Sequence, residues 1–594
     1  MAAAAALGIS PKASAIDLTW SADGETTGGS GTWDLTAFSW LDTLIGGGSY
    51  VWDNDGTGSA TFGPDQLLLY PDSGSGTVTL GDAISASSLI FSVDGFTVAA
   101  SANPIHTLSL ASGITADGDA TVSALLAFTG NQTWTVSAGK TLTVSGNIAN
   151  GSRLLSLSGD GTSAISGILS GTGGLSKSGT GALTLSGANT FTGTTTIAAG
   201  SLVLGNLSAL AGSTLDLATA STGTLSFANV GTYQLGGLAG SRGLALGASS
   251  LSVGGNNAST AYSGILSGTG GLTKSGTGTL TLSGVNTLTG KVAVTGGAIS
   301  IAAQSGLGAT PASATADALT LDDGALILTA GNQTFSANLG ITLGAGGGTL
   351  DTSSISDANG NSVTFAGVIS GTGNLTLKAH GDLSAGGGGS NTHVTLSGAN
   401  TFTGTVTISD GLVNAASGFG AAANTLRFAN GGGILHTSGT STISRSIEVL
   451  STGGIVRLYG GATLTLSGAL TGSGTLSRTD AGTLNLTGDL TGFTGSFANL
   501  ASTTVIDTQG VSGLTGVTLT GGGLYIRHNP FALGSATITV NGSSTLGSNG
   551  SAGVGVSNAI SISGTSELTL LGSAAAPFVQ TGAVTGASSV LILG

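Results

Sequence analysis

The chain has 594 residues, 40% of them hydrophobic and only 7% charged, with 108 glycines, 7 prolines, no cysteine and a net charge of −14. Ordinary domains carry about a quarter charged residues, and glycine here is roughly two and a half times its usual share. Collagen, proline-rich linkers and disorder are excluded by the few prolines and the apolar content; disulfides and thiolate metal sites by the lack of cysteine; and the acidic balance disfavours nucleic acid and anionic membrane surfaces as partners.

Residues 1–15 read MAAAAALGISPKASA. An apolar stretch ending in Ala13-Ser14-Ala15 is similar to the end of a secretory signal peptide, although the positive leading region is missing. It is read as a signal remnant, with a plain Ala-rich start as the alternative. No apolar run reaches the 18 or so residues of a spanning helix. Residues 16–80 are aromatic-rich, with Trp20, Trp33, Phe38, Trp40, Tyr50, Trp52 and Phe62. This segment is expected to cap the N-terminal end of the fold and blunt its open strand edge; a binding patch is the alternative. Within it, "WDNDGTG" (Trp52–Gly58) offers Asp53, Asn54 and Asp55. A calcium loop needs oxygen ligands at alternate positions and a closing glutamate, which are missing, so a turn is expected.

From residue 81 onwards short segments such as "TLTVSG" and "LTLSG" alternate apolar and small polar residues, the period-two mark of strands. Glycine punctuates them every few residues, and no helical stripe persists. The phrase "GLSKSGTGALTLSGANTFTGTTTIAAGSL" (Gly174–Leu202) returns 97 residues later as "GLTKSGTGTLTLSGVNTLTGKVAVTGGAI" (Gly271–Ile299). A third copy spans 374–413 with an insertion between its halves. A fourth, near 475–495, carries Arg478 where the first two carry Lys177 and Lys274. Lys378 is aligned with the same position. "GLSKSGTG" mimics a phosphate-binding loop, but Ser176 rather than glycine precedes the lysine and a strand rather than a helix follows, which excludes a nucleotide site. The lysine is expected outward at a turn and dispensable. The glycines are expected to supply positive φ and close stacking, so that Gly179 is indispensable.

Strands this short with glycine corners predict an all-β, elongated parallel β-helix over 81–594, with coils of roughly 20 to 25 residues stacked at about 4.8 Å.

The residues Gly174, Leu175, Lys177, Gly179, Gly181, Leu183, Leu185, Gly187, Asn189, Phe191, Gly193, Thr195, Ile197, Gly200 and Leu202 match a pattern that resembles the β-strand repeat of autotransporter passengers, the passenger-associated transport repeat. The second copy departs at Leu288, where an aromatic is usual, and the fourth at Leu490, where asparagine is. The resemblance implies a right-handed β-helix, secreted or held at the surface of a Gram-negative-type cell, with the repeat aiding export. It implies membrane attachment only through a translocator barrel, which is expected beyond Gly594 unless the protein is exported differently. No such segment is read in the last 250 residues.

Chemistry-bearing residues are sparse. Asp117/Asp119 in "ADGDA" and Asp322/Asp323 in "LDDG" sit in turn contexts, where aspartate bonds locally. His106, His380, His393, His436 and His528 show neither hydrolase nor metal spacing. No catalytic, cofactor-binding or metal residue is assigned, and no cofactor is expected. The expected function is a structural or adhesive passenger, monomeric, meeting host or matrix glycans or proteins. The alternative is a β-helix enzyme or binding module acting on polysaccharide. An enzyme would be betrayed by a cleft in which two carboxylates and a Lys or Arg converge within about 10 Å, the arrangement acid and base work requires. Specificity is expected where the repeat breaks down: the Trp-rich start, residues 381–393, and the irregular coils near 229–262 and 427–460.

Overall fold

Strand Ala182–Leu185 shows how the sequence builds the fold. Leu183 and Leu185 are buried, while Ala182 and Thr184 between them are half exposed. Leu183 pairs in parallel with Leu202 of the next coil, and Leu202 with Leu225 of the one after. Leucine therefore stacks on leucine along the interior, and each buried side chain contributes roughly 1.5–3 kcal/mol. In this computed structural model, residues 18–20, 29–36, 40–41, 49–50, 66–69, 75–102, 105–218, 221–355, 361–379, 393–508, 510–550, 554–572, 577–586 and 590–593 are described. Among them the only helical element is a single 3-10 turn, Gln304–Leu307.

The chain divides into two units, residues 1–280 and 281–594. The first contains a nine-stranded parallel sheet from Gly31–Trp33 to Thr224–Phe227. The second contains parallel sheets of 12 strands, from Gln333–Phe335 to Val584–Thr585, and of 8 strands, from Thr440–Ile443 to Val590–Leu593. Both are built as parallel β-solenoid. Asn189 measures the coil: its Oδ1 accepts from Leu169 N and its Nδ2 donates to Ala209 O, each 20 residues away. The step is 23 residues at Asn131 and lengthens to 31 at Asn400, past the third repeat's insertion. Near the start the pairing also turns antiparallel, Trp20 opposite Trp40 and Trp40 opposite Tyr50. Trp20 and Trp33 are fully buried, and Trp20 Nε1 donates to Gly29 O at 3.1 Å. Residues 1–15, Phe38, Trp52–Gly58, Phe62 and His380 lie outside the described residues.

The repeat's cation is not outward. Strand Leu175–Lys177 alternates buried, half exposed, buried, and Lys177 is only 3% exposed, Lys274 1% and Arg478 0%. Two residues beyond an inward leucine, a strand residue points inward again. The chain then turns, and the inward cation reaches the corner carbonyls. Lys177 Nζ donates to Gly179 O. Lys274 Nζ donates to Ser275 O at 2.6 Å and Gly276 O at 3.0 Å. Arg478 donates to Thr479 O, and to Asp480 O and Gly482 O at 2.7 Å each. The alignment of Lys378 is also corrected. Leu375 and Leu377 are the inward pair of that strand, and Lys378, one residue on, faces out, 3.8 Å from Asp351 Oδ2.

Lys177→Ala is therefore expected to cost about 1–3 kcal/mol by removing the charged donor to the half-buried Gly179 carbonyl. Burial holds the Lys177 and Lys274 ammonium groups below the ordinary 10.5. Between the folded value and 10.5 the unfolded chain binds more protons, so the contribution of each lysine to stability rises as pH climbs through that window. Denaturant midpoints of the wild type and Lys177→Met from about pH 8 upward should show the wild type gaining on the variant. A gap that shrinks with pH would contradict the buried ammonium.

The glycines of the phrase serve both expected ends: Gly200 and, in the second copy, Gly276 take positive φ, 69° and 67°, whereas Gly179 and Gly181 are needed for close approach. Gly179 and Gly181 are absent from the left-handed region, but a Cβ on Gly181 would lie 1.7 Å from Gly161 O of the coil below, and one on Gly179 1.9 Å from Gly159 O.

Candidate functional site

Three places bring polar or unusual groups together. The first is a corner of the first unit where successive turns stack. Asp94 Oδ1 accepts from Lys140 Nζ at 2.7 Å and from Asp119 N at 2.8 Å. Asp119 Oδ1 accepts from Thr141 N at 2.7 Å, and Asp117 Oδ1 from Ser137 Oγ at 2.5 Å. Two carboxylates and a lysine thus converge, as acid and base chemistry would require. Each is already tied to a neighbouring turn, however, and Asp94 stands exposed at the surface. The hydrogen bond from Lys140 holds the Asp94 carboxyl below the usual carboxylate range, and Asp94 in turn raises Lys140. A general acid needs the opposite shift. The corner therefore has the geometry of a coil clamp.

Asp322 and Asp323 behave similarly in the second unit. Asp322 Oδ1 accepts from Gly346 N at 2.7 Å, and Asp323 holds the left-handed corner conformation, φ 61°. Asp323 borders an open depression of about 370 Å³ floored by Ala325, Thr349 and Thr376. No cation and no aromatic residue lines it.

The histidines are scattered. His436 is buried, its Nε2 3.3 Å from Gly439 O. His528 Nδ1 lies 2.7 Å from Asp507 Oδ1, and His393 Nε2 lies 3.4 Å from Asn414 Nδ2. Among the described residues no group of three or more His, Asp or Glu side chains is placed to hold a metal ion.

The second place lies at 427–460, one of the irregular stretches. Strand Gly454–Leu458 is buried at every position rather than at alternate ones. Val456 pairs with inward Arg478, so Arg457 points the other way, yet it too is 0% exposed. Its Nε lies 2.5 Å from Asp480 Oδ2, and its Cζ lies 5.2 Å from the centre of the Tyr459 ring. Leu412, Leu435 and Ile455 form a buried cluster beside it. Burial of Arg478 lowers its guanidinium from the usual value to about 10, opposed by the Asp480 charge. Sequence reading missed Arg457 and Asp480. The available signal was an arginine enclosed by apolar residues in "GIVRLYG", with an aspartate one coil later.

The third place is near 229–262, where the solenoid changes its pairing. The nine-stranded sheet ends at Thr224–Phe227. The next chain segment, Thr232–Gly240, instead pairs with Leu210–Leu217 and Ser250–Val253.

The polar residues of the repeat named above bond within and between coils. Lysine or arginine satisfies the corner, glycine permits the approach of coils, and asparagine clips them. Asn400 accepts from Ile369 N at 2.7 Å and donates to Gly418 O at 2.6 Å, as Asn189 does in its own coil. Thr195 faces inward, fully buried, its Oγ1 2.8 Å from Ser213 Oγ. Among the described residues no helix is long and apolar enough to cross a membrane.

Neither a curated protein nor a solved structure matches the chain. A family model described as passenger-associated-transport-repeat matches residues 175–204, 272–301 and 393–415. The third match begins only after the insertion, which agrees with the displaced Lys378. The chain thus carries the passenger-associated-transport-repeat three times, each copy built into the coils of a parallel β-solenoid.

Proposed function

We propose that the chain is the passenger region of an autotransporter-type protein, exported to the cell surface or beyond, where it has a structural or adhesive role and performs no catalysis. The observation that carries this reading is the coincidence of the matched repeats with parallel coils whose recurring polar residues bond internally, to corner carbonyls and between coils. Attachment to the membrane is through a translocator, and the partners are glycans or proteins of a host surface or matrix. Protease shaving of intact cells expressing the natural coding region should remove the chain from the surface. Recovery of the chain only from lysed cells would refute export. Glycan and matrix-protein arrays then separate adhesion from a spacer role.

One observation favours a second reading, an enzyme or binding module acting on polysaccharide: the convergence of Asp94, Asp119 and Lys140. Polysaccharide cleavage by the wild type that is lost in Asp94→Asn would establish it.

A further inference from the structure

Among the described residues, seven that are not glycine take a left-handed backbone. Six of them also engage the side chain. Asn257 accepts from Thr277 N, Asn332 donates to Asn361 Oδ1, Asp410 accepts from Ser409 Oγ, Asn430 donates to Ser409 Oγ, Asp480 pairs with Arg457, and Ser502 donates to Gly482 O. Asp323, with φ 61°, is the exception. Its backbone N donates to Gly347 O at 2.8 Å, while its exposed carboxylate bonds to no described residue.

That residue borders the depression of about 370 Å³ in the second unit, a volume within the range of small-ligand sites, about 300–1,000 Å³. Glycine makes the room: Gly324 and Gly348 pair across adjacent coils, with Gly346 and Gly347 beside them. Thr349 and Thr376 pair on successive coils, about 4.8 Å apart. Both are half exposed, and neither hydroxyl bonds to a described residue. Asn374 lines the same depression. Its Oδ1 accepts from Thr405 N and Thr405 Oγ1 at 2.9 Å each, which leaves Nδ2 unengaged. Four polar groups without a protein partner therefore border one concavity, in a chain whose other corner side chains clip coil to coil.

We propose that this depression binds a neutral oligosaccharide. The polar inventory selects that class. A carboxylate only accepts, an amide Nδ2 only donates, and a threonine hydroxyl does either. Together they complement a row of sugar hydroxyls, and both members of a vicinal pair can donate to one carboxylate. A ligand must replace the water on these groups hydrogen bond for hydrogen bond. An apolar molecule cannot, and Ala325 is the one apolar side chain that the lining offers it. Anionic sugars and phosphates meet a carboxylate and no cation, on a chain of net charge −14. A metal ion or a polyamine finds a single free carboxylate, because Asp322 Oδ1 already accepts from Gly346 N. The inference rests on the adhesive arm of the function proposed above. Export is tested separately by protease shaving, and a failure here leaves that result standing.

The probes are cellotetraose, maltotetraose, xylotetraose and mannotetraose, with tetragalacturonate as the anionic counterpart. Calorimetric titration of the full chain should give saturable binding of at least one neutral probe and none of tetragalacturonate. Asp323→Asn keeps the shape and tolerates the left-handed corner while removing the anionic acceptor. It should weaken that binding at least tenfold with the unfolding midpoint unchanged. Thr349→Val removes one hydroxyl at constant shape and should weaken it at least threefold; if Asp323→Asn fails to fold, Thr349→Val decides alone. Absence of saturable binding of every neutral probe to the wild type overturns the proposal. So does a neutral probe bound equally well by folded Asp323→Asn, which would place it elsewhere on the chain, or tetragalacturonate binding that displaces the neutral probe, which would contradict the selection against charge.

Discussion

Asp480→Asn should destabilise the second unit by about 3–5 kcal/mol, the usual cost of leaving buried charge uncompensated. Asparagine is nearly the same shape and tolerates the left-handed backbone that Asp480 adopts at φ 64°, so the change removes charge and little else. Arg457 and Arg478 are both 0% exposed. Asp480 lies 2.5 Å from the first through Oδ2 and accepts from the second through its backbone carbonyl. Without the carboxylate, buried Arg457 loses its ion pair with Oδ2 and buried Arg478 loses the charge that opposes its desolvation. Solenoid stability is shared between neighbouring coils, so the loss should be greatest in the coils containing Gly454–Leu458 and Thr475–Thr479. Denaturant unfolding followed by hydrogen exchange would locate it. Asp323→Asn, at an exposed corner with φ 61°, is the control and should change stability by no more than about 0.5 kcal/mol. Equal stability of the two variants would mean that the buried pair contributes nothing.

Gly181→Val should be at least as damaging to the first unit, by about 3 kcal/mol or more. Overpacking a core usually costs 1–3 kcal/mol because side chains can shift. Here the obstacle is backbone: the new Cβ would stand 1.7 Å from Gly161 O. The coils at this corner must move apart, which strains Gly181 N→Gly159 O and Ser201 N→Gly181 O on both sides. Even Gly181→Ala should lower the melting temperature measurably. Gly139 has nothing within 4 Å of its Cβ direction, but its φ of 78° makes substitution strained for a different reason. A valine at 181 tolerated without loss of thermal stability would show that the coils are not in contact there.

The alternation in "ALTLSG" made strands, coil length and the interior leucines legible, because burial on one face imposes a period of two. The same rule, applied through Lys177, would have placed it inside; its charge suggested the outside. What decides is the corner. A lysine stem is long enough to carry the ammonium to the corner carbonyls, so a cation two residues beyond an inward leucine is a core residue here. Lys378 shows the reverse, since displacement by one residue sends it out to Asp351. Of the irregular stretches, both 229–262 and 427–460 could be marked from departures in the pattern, but their content could not. The aspartate pairs were legible as turns, and the structure adds only which turn each one clamps.

By itself the sequence determined that this chain is built of short strands, wound in coils of about 20 residues and marked by a passenger-associated-transport-repeat, because such features are written in residues adjacent along the chain. Only the tertiary structure decided that Arg457 meets Asp480, that Asp94 meets Lys140 across 46 residues, and that Thr224–Phe227 ends its sheet. Each depends on how one coil lies on the next, and the registers of successive coils vary with the length of every turn between them.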